Sequence, residues 1–463
     1  MTQLWKLSAA KMAEMVRNQE VSAIEMTEAH LARLFAVNTQ LNAVVHEMSE
    51  EALQCAKELD KCIARGKDPG PLCGVPITTK VTTDQKGQAT TGGLTLKKLS
   101  IATSDSPIIA NLRKAGGIII GRTATPAFSL RWFTNSILYG QTLNPHDPSL
   151  TPGGSSGGAS ASVAAGICAI GQGTDIAGSV RYPAYACGLQ GLRPTFGRFP
   201  QFNGGAERPF GNQIMAVSGP IARSVCDIEL SFQAMAAPDI RDPWFVPVPL
   251  KGSIYPRRVA LSLAPDGMSV VPEVSKALKK AAHHLSQAGW VVEEIDCPPL
   301  REAAEINAKL WMADVRLGLE QSLLREGDPD ANFVIKQMKR LSPELISDDY
   351  LKILERRATL LRDWSVFLET YPVLLCPSSG QLPFRQQMDV ESEAMFEEVY
   401  EAQMTQRAFP ALGLPGLSVA TGFVDRAPIG VQLVAGRFRE DILFAAGNDI
   451  ERCYPAITPV DPI

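Results

Sequence analysis

The chain has 463 residues, of which 45% are hydrophobic and 20% charged, which is the usage of an ordinary soluble globular protein. Its net charge of −4, without any run of lysine and arginine, excludes an electrostatic footprint for nucleic acid or for an acidic membrane surface. No stretch approaches the ~20 apolar residues of a membrane span. Nine cysteines without pairing motifs favour a reducing compartment, so we expect a cytoplasmic protein.

The first 70 residues have the pattern of helices. Ser22 followed by Glu25 forms a capping box, and an apolar face recurs from Ala52 to Ile63. Ser8 and Lys11 match the S-x-x-K pattern of penicillin-binding enzymes. Ser8 stands where a helix N-cap belongs, so we interpret it as a cap.

A short β-type run from Val75 to Thr79 predicts a strand with Lys80 at its carboxyl end, where functional groups collect in open α/β sheets. Most lysines are solvated surface residues, so this position alone leaves the role of Lys80 open. Residues 106–116 predict a helix and residues 117–120 a buried strand. Residues 116–123 come close to a P-loop, but an arginine replaces the required lysine, and we expect no nucleotide binding.

Residues 125–145 concentrate aromatic side chains just before a glycine-rich stretch. These aromatic residues are Phe128, Trp132, Phe133 and Tyr139. Such side chains serve either core packing or a substrate pocket, and both uses fit the pattern.

Residues 151–198 are dominated by glycine, small side chains and candidate serines. Gly153 to Gly158 is too rich in glycine for a helix or strand and predicts a shaped loop that a ligand can approach closely. Ala159 to Ala169 predicts a buried helix, and Thr174 to Ser179 predicts a second loop. The stretch is therefore expected to hold two serine-bearing loops joined by one short helix.

The remainder of the chain alternates between strands and helices. Residues 197–251 are rich in proline and glycine and predict irregular structure, whereas residues 258–295 predict a βαβ unit. Helices are expected over 301–370, and strands at 373–376 and 429–433. This alternation predicts an α/β fold.

Several motifs in order along the chain resemble the signature of the amidase signature family. The resemblance is carried by GVPITTK at 74–80, GGSSGG at 153–158, GTD and then GS with arginine at 173–181, GLRPT at 191–195, and the segments 415–423 and 427–441. It implies a single large α/β domain over 1–463, with a mixed twisted sheet covered by helices. Its parts would be N-terminal helices (1–70), a signature core (71–250), and a C-terminal half (251–463) whose helices at about 301–370 shape substrate choice.

The resemblance implies that the protein hydrolyses a small-molecule carboxylic amide to the acid and ammonia or an amine, through an acyl-enzyme. Ser179 would be the nucleophile, Ser155 the bridging serine that relays its proton, and Lys80 the base, with a cis peptide bond before Ser155. A lysine acts as a base only when its pKa falls, as burial would cause. We expect no metal or cofactor, and no nucleic-acid or membrane partner, and the family includes many homodimers.

Supporting roles follow from the same resemblance. The oxyanion hole would consist of the backbone N–H groups of Ile176, Ala177, Gly178 and Ser179. The loops would be oriented by Ser156, Thr174, Asp175 and Arg181. The acyl pocket would be lined by Phe128, Trp132 and Phe133. Two positions depart from the family pattern: Val81 replaces an acidic residue, which makes Lys80 easier to hold neutral, and Ala177 replaces a glycine, which would add strain if the position required positive φ.

Alternative functions stay open at this stage. Gly153 to Gly157 also fits the G-x-S-x-G elbow of an esterase with Ser155 as nucleophile, although the segment before it is loop-like. The histidines supply a Ser-His-Asp triad poorly, since His283 and His284 flank the apolar face of a helix. The A-type glutaminase component of a tRNA-dependent amidotransferase shares the Ser-Ser-Lys triad and passes its ammonia to a partner.

Overall fold

The strands of the protein build one mixed eleven-stranded sheet in the order β1-β3-β2-β6-β8-β7-β12-β13-β11-β9-β10, with β4 and β5 as a separate pair. This computed structural model describes residues 3–204 and 208–463. The strands are β1 (Val44–Glu47), β2 (Pro76–Lys80), β3 (Ile118–Thr123), β4 (Asn135–Ser136), β5 (Gly140–Gln141), β6 (Ile170–Asp175), β7 (Gln190–Arg193), β8 (Val217–Ala222), β9 (Arg258–Leu261), β10 (Val291–Glu294), β11 (Val373–Pro377), β12 (Gly416–Val424) and β13 (Ala427–Ala435). The predicted fold class, an α/β protein with a large mixed sheet, is confirmed.

Helices cover this sheet. They are α1 (Ala9–Arg17), α2 (Ala23–Leu41), α3 (Ser49–Ala64), α4 (Pro107–Lys114), α5 (Gly157–Ala164), α6 (Arg181–Ala186), α7 (Phe210–Met215), α8 (Val225–Met235), α9 (Pro272–Gln287), α10 (Arg301–Asp314), α11 (Glu320–Glu326), α12 (Pro329–Leu341), α13 (Ser347–Thr370), α14 (Glu393–Ala402), α15 (Met404–Leu412) and α16 (Glu440–Glu451). Among the residues described, no helix combines the length and apolar character that a bilayer crossing requires.

The N-terminal region follows its local sequence signals closely. Ser22 and Glu25 form the predicted capping box at the start of α2. The Ser8 side chain accepts a hydrogen bond from the Lys11 backbone N–H, as expected of an N-cap. The prediction of helices alone was wrong for Val44–Glu47, which forms β1 and pairs with β3. The β-branched Val44 and Val45 suit such a strand.

Strands β2 and β6 are parallel neighbours near the middle of the signature region. Because their carboxyl ends meet at the same edge of the sheet, the end of β2 brings Lys80 next to the end of β6, where Thr174 and Asp175 lie. All five residues of β2 are buried. The predicted position of Lys80 at a strand end is confirmed.

The predicted helix over 159–169 and loop over 174–179 were partly wrong. The helix is α5 and ends at Ala164, and Thr174 and Asp175 belong to β6 rather than to a loop. A Cβ on Gly171 would lie 3.1 Å from Ala159 Cβ, so glycine lets α5 pack directly on this strand. Close packing therefore explains a strand with so few β-forming residues.

Residues 197–251 are also more regular than predicted, because α7, β8 and α8 form within them. Their order comes from tertiary pairing, since β8 lies between β6 and β7. The βαβ unit is confirmed, with β9 and β10 parallel and joined by α9. Between α10 and α11 the chain makes a π-helical turn, Val315–Leu319, a feature that often marks functional sites.

Candidate active site

A cavity of about 280 Å³ lies where β2 and β6 end. Both serine loops reach it, since Ser155 and Ser179 line its wall together with Thr174, Asp175 and Ile176. Ser155 and Ser179 are nearly buried, with exposed fractions of 1% and 4%. The structure thus brings together two serines that are separated in sequence by α5 and β6.

Lys80 lies fully buried beside the first serine loop. Its Nζ lies 2.7 Å from Ser155 Oγ and 3.0 Å from Thr174 Oγ1. Its backbone N–H donates to the Gln172 side chain, which fixes the end of β2 against β6. Among the described residues, Ser155 Oγ and Ser179 Oγ share no direct hydrogen bond. The peptide bond between Gly154 and Ser155 is cis.

Burial lowers the pKa of Lys80 to about 7, and the negative charge of Asp175 opposes this shift only in part. The following residue is the buried Val81, so no carboxylate stands directly after the lysine. A lysine whose pKa lies near neutrality is half unprotonated at pH 7 and can accept a proton there.

Asp175 is the anchor of the second serine loop. Burial by itself would raise the pKa of its carboxyl, but Arg181 and Arg193 more than offset this and hold the pKa at about 2. Arg181 donates to both carboxylate oxygens at 3.0 Å. Asp175 also accepts the N–H of Gly178 at 2.9 Å. A bidentate, fully buried pair of this kind fixes the loop's position.

Ser156 joins the first loop to β6. Its Oγ accepts the Thr174 N–H at 3.3 Å and lies 3.4 Å from the Thr174 carbonyl oxygen. Gly173 is required beside it, because a Cβ there would lie 2.7 Å from Ser156 Oγ. Ser156 and Thr174 thus connect the first loop to β6, whereas Asp175 and Arg181 form the ion pair that holds the second loop.

The backbone of the second loop offers free donors. Among the described residues, the N–H groups of Ile176, Ala177 and Ser179 have no hydrogen-bond acceptor, whereas Gly178 N–H is taken by Asp175. Gly178 as an oxyanion donor is thus not supported by this arrangement. Ala177 is not among the residues with positive φ, so its replacement of a glycine introduces no strain. Backbone N–H groups without an acceptor are available to bind an anion.

Away from the serines, the cavity wall combines polar side chains, among them Gln201, Asn203 and Arg208, with apolar ones. Its apolar wall includes Ile108, Phe128, Leu130, Trp311 and Leu319. Phe128 therefore lies where it was predicted. Trp311 lies one turn before the π-helical segment, and Leu319 closes that segment.

Trp132 and Phe133, predicted as pocket residues, do not line this cavity. Both are buried behind it, where Phe133 stacks on Phe384 with ring centroids 6.0 Å apart. The Trp132 indole N–H instead donates to the Ala177 carbonyl at 2.8 Å. The two side chains point into the core because Tyr400 of α14 packs on Trp132 and Phe384 covers Phe133.

Among the residues that the structure describes, no histidine lines the cavity. His30 and His146 are buried and bond backbone carbonyls, whereas His46 and His283 are exposed. The His-based alternative therefore has no support from the geometry.

Two further residues contact the second serine loop, and no sequence motif predicted either of them. Asn307 bonds the Ile176 carbonyl, and Gln406 packs against Gly178. Both come from helices in the C-terminal half, far from the two serine loops along the chain.

Comparison with known proteins identifies the family of the chain. The family model described as Amidase matches residues 25–444. An indoleacetamide hydrolase of Bradyrhizobium diazoefficiens is 41% identical, over 97% of this chain and 86% of its own length. One component of the glutamyl-tRNA(Gln) amidotransferase of Carboxydothermus hydrogenoformans is 29% identical, over 97% of this chain and 98% of its own.

Solved structures agree as well. A bacterial aryl acylamidase of the amidase signature family superposes with a TM-score of 0.85 at 26% identity, over 97% of this chain and 96% of that chain. A 6-aminohexanoate cyclic dimer hydrolase gives a TM-score of 0.84 at 25% identity, over 98% of this chain and 99% of that chain. With a family match across nearly the whole sequence, the chain belongs to the amidase signature family and is an amidase.

Proposed function

We propose that the protein hydrolyses its amide through a Ser179–Ser155–Lys80 relay and a covalent acyl-enzyme. The observation that carries this proposal is the 2.7 Å contact between Lys80 Nζ and Ser155 Oγ, in a buried site that lowers the pKa of Lys80 to about 7. A serine hydroxyl attacks an amide only with a base in reach, and here the buried lysine supplies it.

In the first half-reaction, neutral Lys80 takes the proton of Ser155 while Ser155 takes the proton of Ser179. Ser179 Oγ then bonds to the amide carbon. Because the two serine hydroxyls lack a hydrogen bond in the free enzyme, we expect that bond to form in the substrate complex. The oxyanion accepts from the free N–H groups of Ile176, Ala177 and Ser179.

The tetrahedral intermediate collapses when its C–N bond breaks and the leaving nitrogen takes the proton held by Lys80, through Ser155. Ammonia or an amine departs and the acyl group stays on Ser179. Water enters, loses a proton through the same relay and bonds to the acyl carbon. Cleavage of the ester bond releases the acid and returns the proton to Ser179.

For the substrate we propose an arylacetamide, of which indoleacetamide is the example named by the similar hydrolase. Phe128 and Trp311 on the cavity wall support an aromatic acyl group, since aromatic rings favour each other's faces and edges. The volume of about 280 Å³ suits a small bicyclic ring better than a long acyl chain.

The test measures the ammonia that the purified protein releases from each of several substrates, namely indoleacetamide, phenylacetamide, aliphatic amides and glutamine. Ser179→Ala and Lys80→Ala should abolish it, while Ser149→Ala, at an exposed serine, should not change it. A fluorophosphonate should label Ser179 alone. Labelling that persists in Ser179→Ala would refute the nucleophile, and activity on glutamine alone would favour the amidotransferase component.

We also propose that the chain works in the cytoplasm as a homodimer. All nine cysteines are free, which supports a reducing compartment. The homodimer rests on the family resemblance. Light scattering of the purified chain checks it, because a mass near 50.0 kDa instead of twice that value would contradict the dimer.

A further inference from the structure

Four successive carbonyls, from Asp175 at the end of β6 to Gly178 in the second serine loop, are each held by a donor, so the direction of each peptide group there is fixed. The four contacts run from Arg193 Nη1 to the Asp175 carbonyl (2.6 Å), from Asn307 Nδ2 to the Ile176 carbonyl (2.9 Å), from Trp132 Nε1 to the Ala177 carbonyl (2.8 Å), and from the Tyr182 N–H to the Gly178 carbonyl (2.8 Å). These peptide bonds are trans, because the cis bonds of the described chain lie elsewhere.

In a trans peptide group the N–H points to the side opposite the C=O. A donor that holds the Ile176 carbonyl therefore aims the Ala177 N–H away from itself. We infer that Asn307 is a positioning residue of the oxyanion hole, which sets the direction of the Ala177 N–H through the Ile176 carbonyl. This inference rests on the proposed role of Ser179 as nucleophile.

The four donors differ in what they control. Trp132 sets the Ala177–Gly178 peptide, whose N–H already goes to Asp175. Arg193 is part of the ion pair that anchors Asp175, so its loss would disturb more than one peptide. Asn307 is thus the side chain that orients an oxyanion donor without belonging to the charged network.

The environment of Asn307 supports a role in positioning. The side chain is completely buried, and its Oδ1 has no partner among the described residues. An unpaired buried acceptor is destabilising, so packing alone would favour a leucine of similar size at this position. Its Nδ2 has the Ile176 carbonyl as its main acceptor, with the Met215 sulfur farther away at 3.5 Å.

Asn307 also ties the loop to the wall of the cavity. It lies on α10 four residues before Trp311, and side chains four apart share one face of a helix. One helix therefore positions both the acyl wall and the oxyanion donor. Because the donor acts on the reacting carbonyl, we expect loss of Asn307 to slow aryl and aliphatic amides by the same factor.

The experiment compares Asn307→Leu with the wild type and with Ile306→Val, a control at a buried neighbour on the same helix. Asn307→Leu should lower kcat by about 10- to 100-fold, which does not exceed the effect of removing one oxyanion donor entirely. Its KM should stay within about twofold of the wild-type value. An arylacetaldehyde, which forms a tetrahedral adduct on the nucleophile, should bind more weakly by a similar factor. The kcat of Trp132→Phe should fall by a smaller factor than that of Asn307→Leu, and the kcat of Ile306→Val should equal that of the wild type.

Wild-type kcat in folded Asn307→Leu would overturn the inference, and so would a rise in KM that accounts for the whole loss. If Asn307→Leu does not fold, Asn307→Ala tests the same point, because alanine has no side-chain donor for the Ile176 carbonyl. Ser179→Ala is assayed alongside. Residual amidase activity in that variant would refute the proposed nucleophile, whereas an inactive Ser179→Ala with a fully active Asn307→Leu refutes the positioning role alone.

Discussion

Replacing Lys80 by methionine should abolish amide hydrolysis and at the same time make the protein more stable at pH 7. Lys80 is fully buried, and burial lowers its pKa from the usual 10.5 to about 7. The folded protein binds this proton more weakly than the unfolded chain does. At every pH at which the unfolded chain is protonated, the lysine therefore lowers the free energy of unfolding. Methionine fills similar space without a charge to desolvate.

The size of the effect follows from the two pKa values. Between pH 7 and 10.5 the unfolded chain binds the Lys80 proton and the folded chain has lost it, so stability rises with pH by about 1.4 kcal/mol per unit. At pH 7 the penalty is roughly 4 kcal/mol. Methionine loses the contacts to Ser155 and Thr174, worth about 1 kcal/mol each. We expect a net gain of roughly 2 kcal/mol at pH 7 that vanishes near pH 9.

Urea unfolding followed by tryptophan fluorescence measures this gain. Lys80→Met should have a higher midpoint than the wild type at pH 7 and an equal one near pH 9, with unchanged slopes. Lys86→Met, at an exposed lysine six residues along, serves as the control and should show no pH-dependent difference. A Lys80→Met protein less stable than the wild type at pH 7, or a difference independent of pH, would refute the reasoning.

Three further predictions concern the same site. Since Lys80 must be neutral to act and its pKa is about 7, kcat/KM should fall about tenfold from pH 8 to pH 6, and a flat profile in a buffer series would contradict its role as base. Gly178→Ala would place a Cβ 2.5 Å from Gln406 Cβ at a φ of +96°, so activity and the melting temperature should both drop; a wild-type melting curve argues against this clash. Asp175→Asn leaves Arg181 buried without its counter-charge and should cost about 3–5 kcal/mol in urea unfolding; an unchanged urea midpoint would contradict the role of this ion pair.

Local signals in the sequence were enough to predict much of the framework. The strand before Lys80, the capping box at Ser22 and the βαβ unit each depend on neighbouring residues, and each is present in the structure. Strand β6 was missed because only Ile170 and Thr174 among its six residues favour strands. Its conformation comes from pairing with β2 and β8 on either side, and from glycines that let α5 approach.

The residues that hold the second serine loop could not be predicted for a different reason. Asn307 bonds the Ile176 carbonyl across 131 residues of chain, and Trp132 bonds the Ala177 carbonyl across 45. A contact from a side chain to a backbone carbonyl imposes no motif on the segment it holds. The motifs therefore pointed to the serine loops, and only the three-dimensional structure identified their supports.

The long reach of Arg181 has a consequence for biosynthesis. Besides Asp175, it donates to the side chain of Gln432, 251 residues later, and to the backbone carbonyl of Gln406. The ribosome synthesises the chain from the N-terminus onward, so both serine loops leave the ribosome before Gln406 and Gln432 have been added. The contacts that hold the loop of Ser179 are therefore complete only when translation has passed residue 432. We expect the growing polypeptide to hydrolyse amides only after most of it has been synthesised.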